Sequence, residues 1–210
     1  MISEILQPHI ERFLKSFYSE KNKDVSDYAK LHKIPTVDIL TGNFIAFILQ
    51  IEKPKKCLEI GCGIGISMDY IMQISTIEKY VALDTNKERL YRCEERHINT
   101  KNVEFYNIDG ESFLKENEEK YDFIFVDSIK SRYSIMWNYI KRNINHNSLV
   151  IFDDVLLYGL LGQEISLIPD KYLHLYEELS DFITELSSDK TYKFFVVPVG
   201  NGLLMIKNAN

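Results

Sequence analysis

Six acidic residues and one glycine-rich turn punctuate the middle of the chain, each closing a short apolar run. The first run, Cys57-Leu-Glu-Ile-Gly-Cys-Gly-Ile-Gly-Ile-Ser67, contains Glu59 and then Gly61, Gly63 and Gly65. Glycines so spaced let the backbone approach a ligand and expose amides at a helix start. A dinucleotide fingerprint would need Gly or Ala at position 66, which is Ile66, and Glu59 would repel a pyrophosphate. A carboxylate there suits a cationic amine. Asp84 closes the next run, 23 residues after Gly61, where an acid accepts hydrogen bonds from ribose hydroxyls. Asp109-Gly110 closes the third, where an acid or a backbone group can meet an adenine. Together these describe a nucleoside ligand that carries an amino group. Taken singly, Asp84 and Asp109 read equally well as helix N-caps.

A second constellation follows in Tyr121-Asp-Phe-Ile-Phe-Val-Asp127-Ser-Ile-Lys130-Ser-Arg-Tyr133 and Leu149-Val-Ile-Phe-Asp153-Asp154-Val-Leu-Leu-Tyr-Gly159. Asp127, Asp153 and Asp154 would repel one another at adjacent strand ends unless a cation neutralised them. A hard divalent ion such as Mg²⁺ takes oxygen ligands and keeps positions open for water or substrate. Caps and solvated loop acids are the other reading. Lys130 is a candidate proton acceptor, provided burial and a nearby cation lower its pKa. Otherwise it is a lysine paired with acids. Arg132, Lys141 and Arg142 would join Lys130 in a basic rim at the same end of the fold, or form a solvated helix face.

Positioning these groups requires an alternation of strands and helices. Strands are expected at Lys56–Ile60, Tyr80–Asp84, Val103–Asn107, Tyr121–Asp127, Leu149–Asp153, Lys193–Val197 and Leu203–Lys207, with helices at about 67–76, 86–98, 110–117, 131–144 and 170–187. Near-continuous apolar strands between amphipathic segments predict a mostly parallel α/β sheet covered on both faces. The turn signal Asn201-Gly202 predicts a closing antiparallel hairpin. Residues 1–53 hold no clear strand. Helices at about 2–19 and 37–51, broken at Pro35, make them a helical extension of the 54–210 core.

Composition narrows the classes. Two hundred and ten residues make one domain that can bury a core without disulfides or a structural metal. A net charge of −6 excludes bulk attraction to nucleic acid, so any RNA would be met at a local site. The three cysteines lack C-x-x-C spacing and the five histidines form no ligand pattern, so no zinc site is expected. No apolar run spans a bilayer and no signal-like N-terminus stands out, so a reduced, cytoplasmic setting is expected.

The intact run Glu59-Ile-Gly-Cys-Gly-Ile-Gly65 resembles the signature of class I S-adenosylmethionine (SAM) methyltransferases. Asp127, Lys130, Tyr133, Asp153, Val155, Leu156 and Gly159 resemble the pattern of the cation-dependent catechol and caffeoyl-CoA O-methyltransferase family; Asp154 departs, because that family usually carries Asn. Pro35, Pro54-Lys-Lys-Cys-Leu-Glu59 and Val197-Pro-Val-Gly-Asn-Gly-Leu203 are similar to its bacterial tRNA 5-hydroxyuridine branch, and the likeness runs over residues 25–208. The resemblance implies a Rossmann-like fold with a seven-stranded sheet. SAM would be held by Val37, Glu59, Gly61, Gly63, Gly65, Ser67, Asp84, Asp109, Gly110 and Asp127. Mg²⁺ or another divalent cation would be held by Asp127, Asp153 and Asp154, with Lys130 and Asp127 as catalytic residues. The implied reaction turns 5-hydroxyuridine at the tRNA wobble position into 5-methoxyuridine. A small catechol or phenol is the alternative acceptor, since it too offers an oxygen to a metal. A non-catalytic SAM-binding module is the rival from another class. The expected partners are tRNA or a small phenolic substrate and a second copy of the chain, with no membrane.

Overall fold

The structure is a computed structural model and describes residues 6–14 and 23–208. Three helices come first: α1 (Leu6–Leu14), α2 (Lys23–Leu31) and α3 (Ile39–Glu52). The helix expected over 2–19 is thus seen as α1, and the rest of that span lies outside the described residues. Helix α2 was not foreseen, because its charged residues leave only a thin apolar stripe. The start of α3 is fixed by Asp38, whose carboxylate accepts from the Thr41 amide at 2.9 Å, and its end by Lys53 in the left-handed conformation before Pro54.

The core alternates strictly: β1 (Lys56–Ile60), α4 (Ile66–Ile71), β2 (Lys79–Leu83), α5 (Lys87–Arg96), β3 (Val103–Tyr106), α6 (Gly110–Glu116), β4 (Tyr121–Val126), α7 (Tyr133–Ile140), β5 (Ile144–Phe152) and α8 (Asp170–Ser188). Strands β6 (Tyr192–Val197) and β7 (Leu203–Asn208) close it as an antiparallel hairpin. Strand order is β3-β2-β1-β4-β5-β7-β6, and the first five strands are parallel. Strand β5 starts five residues earlier than Leu149. Its polar segment Asn145–Ser148 reads as a turn, yet the Ser148 hydroxyl donates to the Tyr121 carbonyl and holds it against β4 with a shifted register.

Strand residues alternate between two cores. Leu58, Ile60, Ile124, Val126, Val150 and Phe152 face α6, α7 and α8, whereas Cys57, Tyr80, Ala82, Phe123 and Ile151 face α3, α4 and α5. Each fully buried Leu, Ile, Val or Phe side chain among them contributes about 1.5–3 kcal/mol relative to exposure. A third cluster joins Ala29 of α2 to Ile64, Ile66 and Tyr70, with Val25, Tyr28, Ile34 and Val37 against it. Ile66, the residue that breaks the dinucleotide fingerprint, is one of the anchors that fasten α2 over the glycine turn. Among the described residues no helix is long and apolar enough to cross a membrane.

Candidate active site

Strand order reverses between β1 and β4, and ligands of open α/β sheets bind outside the carboxyl ends of strands at such a point. Register makes the geometry definite. Leu83, Ile60, Val126 and Phe152 lie side by side as the last residues of β2, β1, β4 and β5. The next residues, Asp84, Gly61, Asp127 and Asp153, therefore form a row across four adjacent strands. Amide bonds carry the ladder one step further, from Asp127 to the Ile60 carbonyl and from Asp153 to the Val126 carbonyl, both at 2.9 Å.

On the β1–β2 side the groups are closely interlocked. Gly61 has φ +94°, and a Cβ there would lie 1.8 Å from the Asp127 carbonyl oxygen, so no other residue fits. Gly63, at φ +55°, faces open space, and its amide donates to Asp84 Oδ2 at 2.7 Å. Asp84 Oδ1 accepts from the Asn86 amide, also at 2.7 Å. Each of its oxygens keeps a further lone pair for a ligand hydroxyl. Glu59 is fully buried, and its two oxygens accept from the hydroxyls of Ser67 and Tyr80. Burial above all pushes its carboxyl up to about 7; the two hydroxyls pull it down, and Asp127 and Asp84 raise it further.

The other sequence-predicted residues of this half fall into structural places. Gly65 caps α4, and a Cβ there would press on Cys93 Sγ at 2.6 Å. Asp109 is exposed and caps α6, accepting from the Ser112 amide at 3.0 Å; the Ser112 hydroxyl and amide hold its carboxyl below the ordinary range. Gly110 lets α6 approach β1, since a Cβ would sit 2.5 Å from Ile60 Cγ2. Val37 is half-buried between the α3 and α2 clusters.

On the β4–β5 side the charges do not cancel. Lys130 Nζ lies 2.8 Å from Asp127 Oδ1 and 3.0 Å from Asp154 Oδ2. Asp153 is buried, and its carboxylate accepts the Asp154 amide at 2.7 Å. Burial, then the charges of Asp127 and Asp154, push its carboxyl up to about 8. Tyr133 braces the two strand ends by donating to the Asp153 carbonyl at 2.9 Å. Asp154, Leu157 and Tyr158 all have positive φ (59°, 48° and 57°), a concentration of left-handed non-glycine residues in one loop.

The protein groups alone do not lower the Lys130 pKa: burial lowers it, but Tyr133, Asp127 and Asp154 outweigh that and hold it well above the usual lysine range. One expectation needs correction. The basic rim does not form. Arg132 is bound to Glu111, with Nη2–Oε2 at 2.5 Å. Lys141 and Arg142 lie at the opposite end of the sheet, because α7 runs antiparallel to β4. The amide of Tyr121, first residue of β4, bonds the carbonyl of the neighbouring Asn143 at 2.9 Å.

The three acids that the sequence brings together are oxygen donors of the kind Mg²⁺ prefers, and Asp153 is pushed up by burial first and then by the charges of Asp127 and Asp154, which Lys130 only partly offsets. In kind they fit a divalent cation. Among the described residues no three His, Cys, Asp or Glu side chains converge closely enough to hold one in this conformation, in which the Lys130 ammonium lies between Asp127 and Asp154. Sequence reading missed Tyr80 and also Arg96, which donates to the Ile64 carbonyl at 2.5 Å and pairs with Asp69 behind the glycine turn. Neither has a local signature: their partners are distant in sequence.

Comparison with known proteins adds the following. Residues 16–209 match a family model described as O-methyltransferase. Caffeoyl-CoA O-methyltransferase 5 of Nicotiana tabacum is 27% identical over 90% of this chain and 84% of its own. A caffeoyl-CoA O-methyltransferase of Populus kitakamiensis is 23% identical over 82% and 77%. Among solved structures, an SAH-bound methyltransferase of Podospora anserina superimposes with a TM-score of 0.84 at 20% identity, covering 100% of this chain and 98% of that one. An O-methyltransferase of Bacillus cereus in complex with SAH gives 0.80 at 17%, covering 95% and 97%.

Proposed function

Because the chain belongs to the O-methyltransferase family, we propose that it moves the methyl group of SAM to one of two vicinal oxygens on a planar acceptor, with the help of a divalent cation. The observation that carries the reading is the row Asp84, Gly61, Asp127 and Asp153 across the switch point. Its first half suits a nucleoside with a cationic amine, and its second half a cation and an oxygen acid.

In this reading Asp84 receives the ribose hydroxyls on its free lone pairs, the Gly61–Gly65 turn faces the methionine end, and Glu59 with Ser67 supplies the negative environment for the cofactor's positive charge. The Asp109–Gly110 turn borders the adenine, and Val37 covers the methionine end. Asp127, Asp153 and Asp154 would hold Mg²⁺, which when bound supplies acidity to the acceptor hydroxyl. Lys130 orients the acceptor oxygen, and it would take the proton only once a cation on Asp127 and Asp154 offsets the charges that hold its ammonium protonated. The chain otherwise works by placement: the oxygen has to sit roughly 3–3.5 Å from the methyl carbon, in line with sulfur.

A small catechol-like acceptor is supported by the names of the plant relatives and by the commitment of Lys130 and Arg132 to acids. The second reading, 5-hydroxyuridine at a tRNA wobble position, rests on the likeness of Val197–Leu203 to the tRNA branch, a segment that meets the loop after β5 through the Gly202 carbonyl and the Val155 amide, 3.0 Å apart. A homodimer is proposed through the outer face of α3, where Phe47 and Ile51 are each 63% exposed. The test is incubation with methyl-labelled SAM and Mg²⁺, offered either hydroxyuridine-containing tRNA or a catechol panel. Label in a catechol alone selects the first reading, label in tRNA the second, and label in neither sinks both acceptor readings.

A further inference from the structure

Glu59 has an unusual set of neighbours. It is 0% exposed, and the groups that reach it are two neutral hydroxyls, Ser67 from α4 and Tyr80 from β2. The charges it feels come from Asp127 beyond β4 and Asp84 beyond β2, both negative. The thiols of Cys57 and Cys62 complete its surroundings, and burial pushes Cys57 above the ordinary cysteine range. An ionised carboxylate in such a place costs several kcal/mol unless donors or a cation compensate it. Among the described residues no lysine, arginine or histidine shifts it. These residues supply it with hydroxyls but with no counter-charge.

Tyr80 is what makes this carboxylate tenable. Its ring is fully buried in the core facing α3–α5, on the same face as Glu59 because Cys57, Glu59 and Tyr80 share strand parity. Register pairs Cys57 with Tyr80, so the phenol reaches forward along the sheet by one step to the Glu59 oxygen that Ser67 does not occupy. Ser67 belongs to the first turn of α4, whereas Tyr80 is the second residue of β2, paired on both sides within the sheet and fully buried. Burial, and then the charge of Glu59, hold the Tyr80 hydroxyl protonated far above the usual phenol range, so it remains a donor at every working pH.

We propose that Tyr80 is a positioning residue for the cofactor: it keeps Glu59 ionised and aimed at the glycine turn, so that the carboxylate meets the positive charge of SAM. This rests on the SAM reading above and deepens it. Donation to the charged form favours ionisation, so loss of the hydroxyl leaves more Glu59 protonated near neutral pH.

The experiment measures SAM dissociation constants by calorimetry from pH 6 to 9 for the wild-type chain and for Tyr80→Phe, which removes one oxygen and keeps the ring. Tyr80→Leu removes the same hydroxyl if the phenylalanine variant does not fold. SAM's own titration is common to all of them. The expected result is a Kd raised about threefold to tenfold at pH 7, with the pH midpoint of binding moved upward and the difference vanishing by pH 9, since one pKa unit is a factor of ten. Profiles that superimpose, or a variant weakened by the same factor at every pH, would overturn the proposal while leaving the cofactor reading intact. A wild-type chain that binds no SAM at any pH would overturn both.

Discussion

At the ends of β1 and β2, the acids already have donors inside the chain: Glu59 two hydroxyls and Asp84 two amides, while the Ile64 carbonyl has Arg96. One strand further, at the ends of β4 and β5, Asp127 and Asp154 share a single ammonium while Asp153 accepts an amide, and the loop that follows Asp153 holds three non-glycine residues at positive φ. In hydrogen bonds the first region is complete before any ligand arrives, and it lacks only a positive charge for Glu59. The second is not complete: its negative charge exceeds what Lys130 neutralises, and its backbone is held in conformations that cost of order 1–3 kcal/mol each. Cofactor binding should therefore be separable from everything that depends on the second region.

Removing the cation is the strongest way to test that separation. Excess chelator should lower methyl transfer by at least about a hundredfold, the scale of several kcal/mol of charge stabilisation, while the Kd for SAM changes by less than about twofold. Mg²⁺ or Mn²⁺ should restore turnover. Transfer that survives chelation would remove the metal from the reading, and SAM binding that falls with transfer would dissolve the distinction between the regions.

Asp84→Ala probes the first region and should have the next largest effect. It deletes a ribose partner and also frees the amides of Gly63 and Asn86, each of which would lose a charge-assisted bond worth about 1.5–3 kcal/mol. SAM affinity should fall about tenfold to a hundredfold, and the melting temperature should fall as well. The acceptor's KM, measured at saturating SAM, should remain near the wild-type value. Unchanged SAM affinity would leave Asp84 as a cap of its own turn and nothing more.

Much of the first region was legible in the sequence, because strand ends, glycine spacing and the acids that follow are local patterns. Seven strands and the closing hairpin follow from apolar runs and Asn201-Gly202. What stayed hidden was set by contacts between distant segments. Helix α2 is held by Ile64 and Ile66 rather than by its own propensity. Tyr80 reads as one more core aromatic until register places it beside Glu59. The basic rim failed for a directional reason: a helix that returns antiparallel to its strand carries Lys141 and Arg142 away from the site.

Asp154→Asn should have the smallest effect, and it tests how the second region stores its charge. Asp154 sits at φ 59°, a conformation that asparagine adopts several times more readily than most residues, so the backbone tolerates the change. The amide keeps an oxygen donor for a cation but ends the 3.0 Å ion pair with Lys130, leaving Asp127 as that lysine's partner. Transfer at saturating Mg²⁺ should stay within about threefold of wild type, since one neutral oxygen ligand replaces one charged one. Stability should change with pH in a defined direction. Asp153 titrates at about 8 when folded, against 3.8 ordinarily, with Asp154 among the causes. Between these values the folded state binds the extra proton, so this group makes the wild-type chain lose stability as pH rises from about 4 to 8. Taking away the Asp154 charge lowers that pKa, so the loss becomes smaller: metal-free Asp154→Asn should melt higher than metal-free wild type at pH 8 and nearly level with it at pH 5. A variant that melts lower than wild type at pH 8 would mean that the ion pair with Lys130 outweighs the crowding of the three carboxylates.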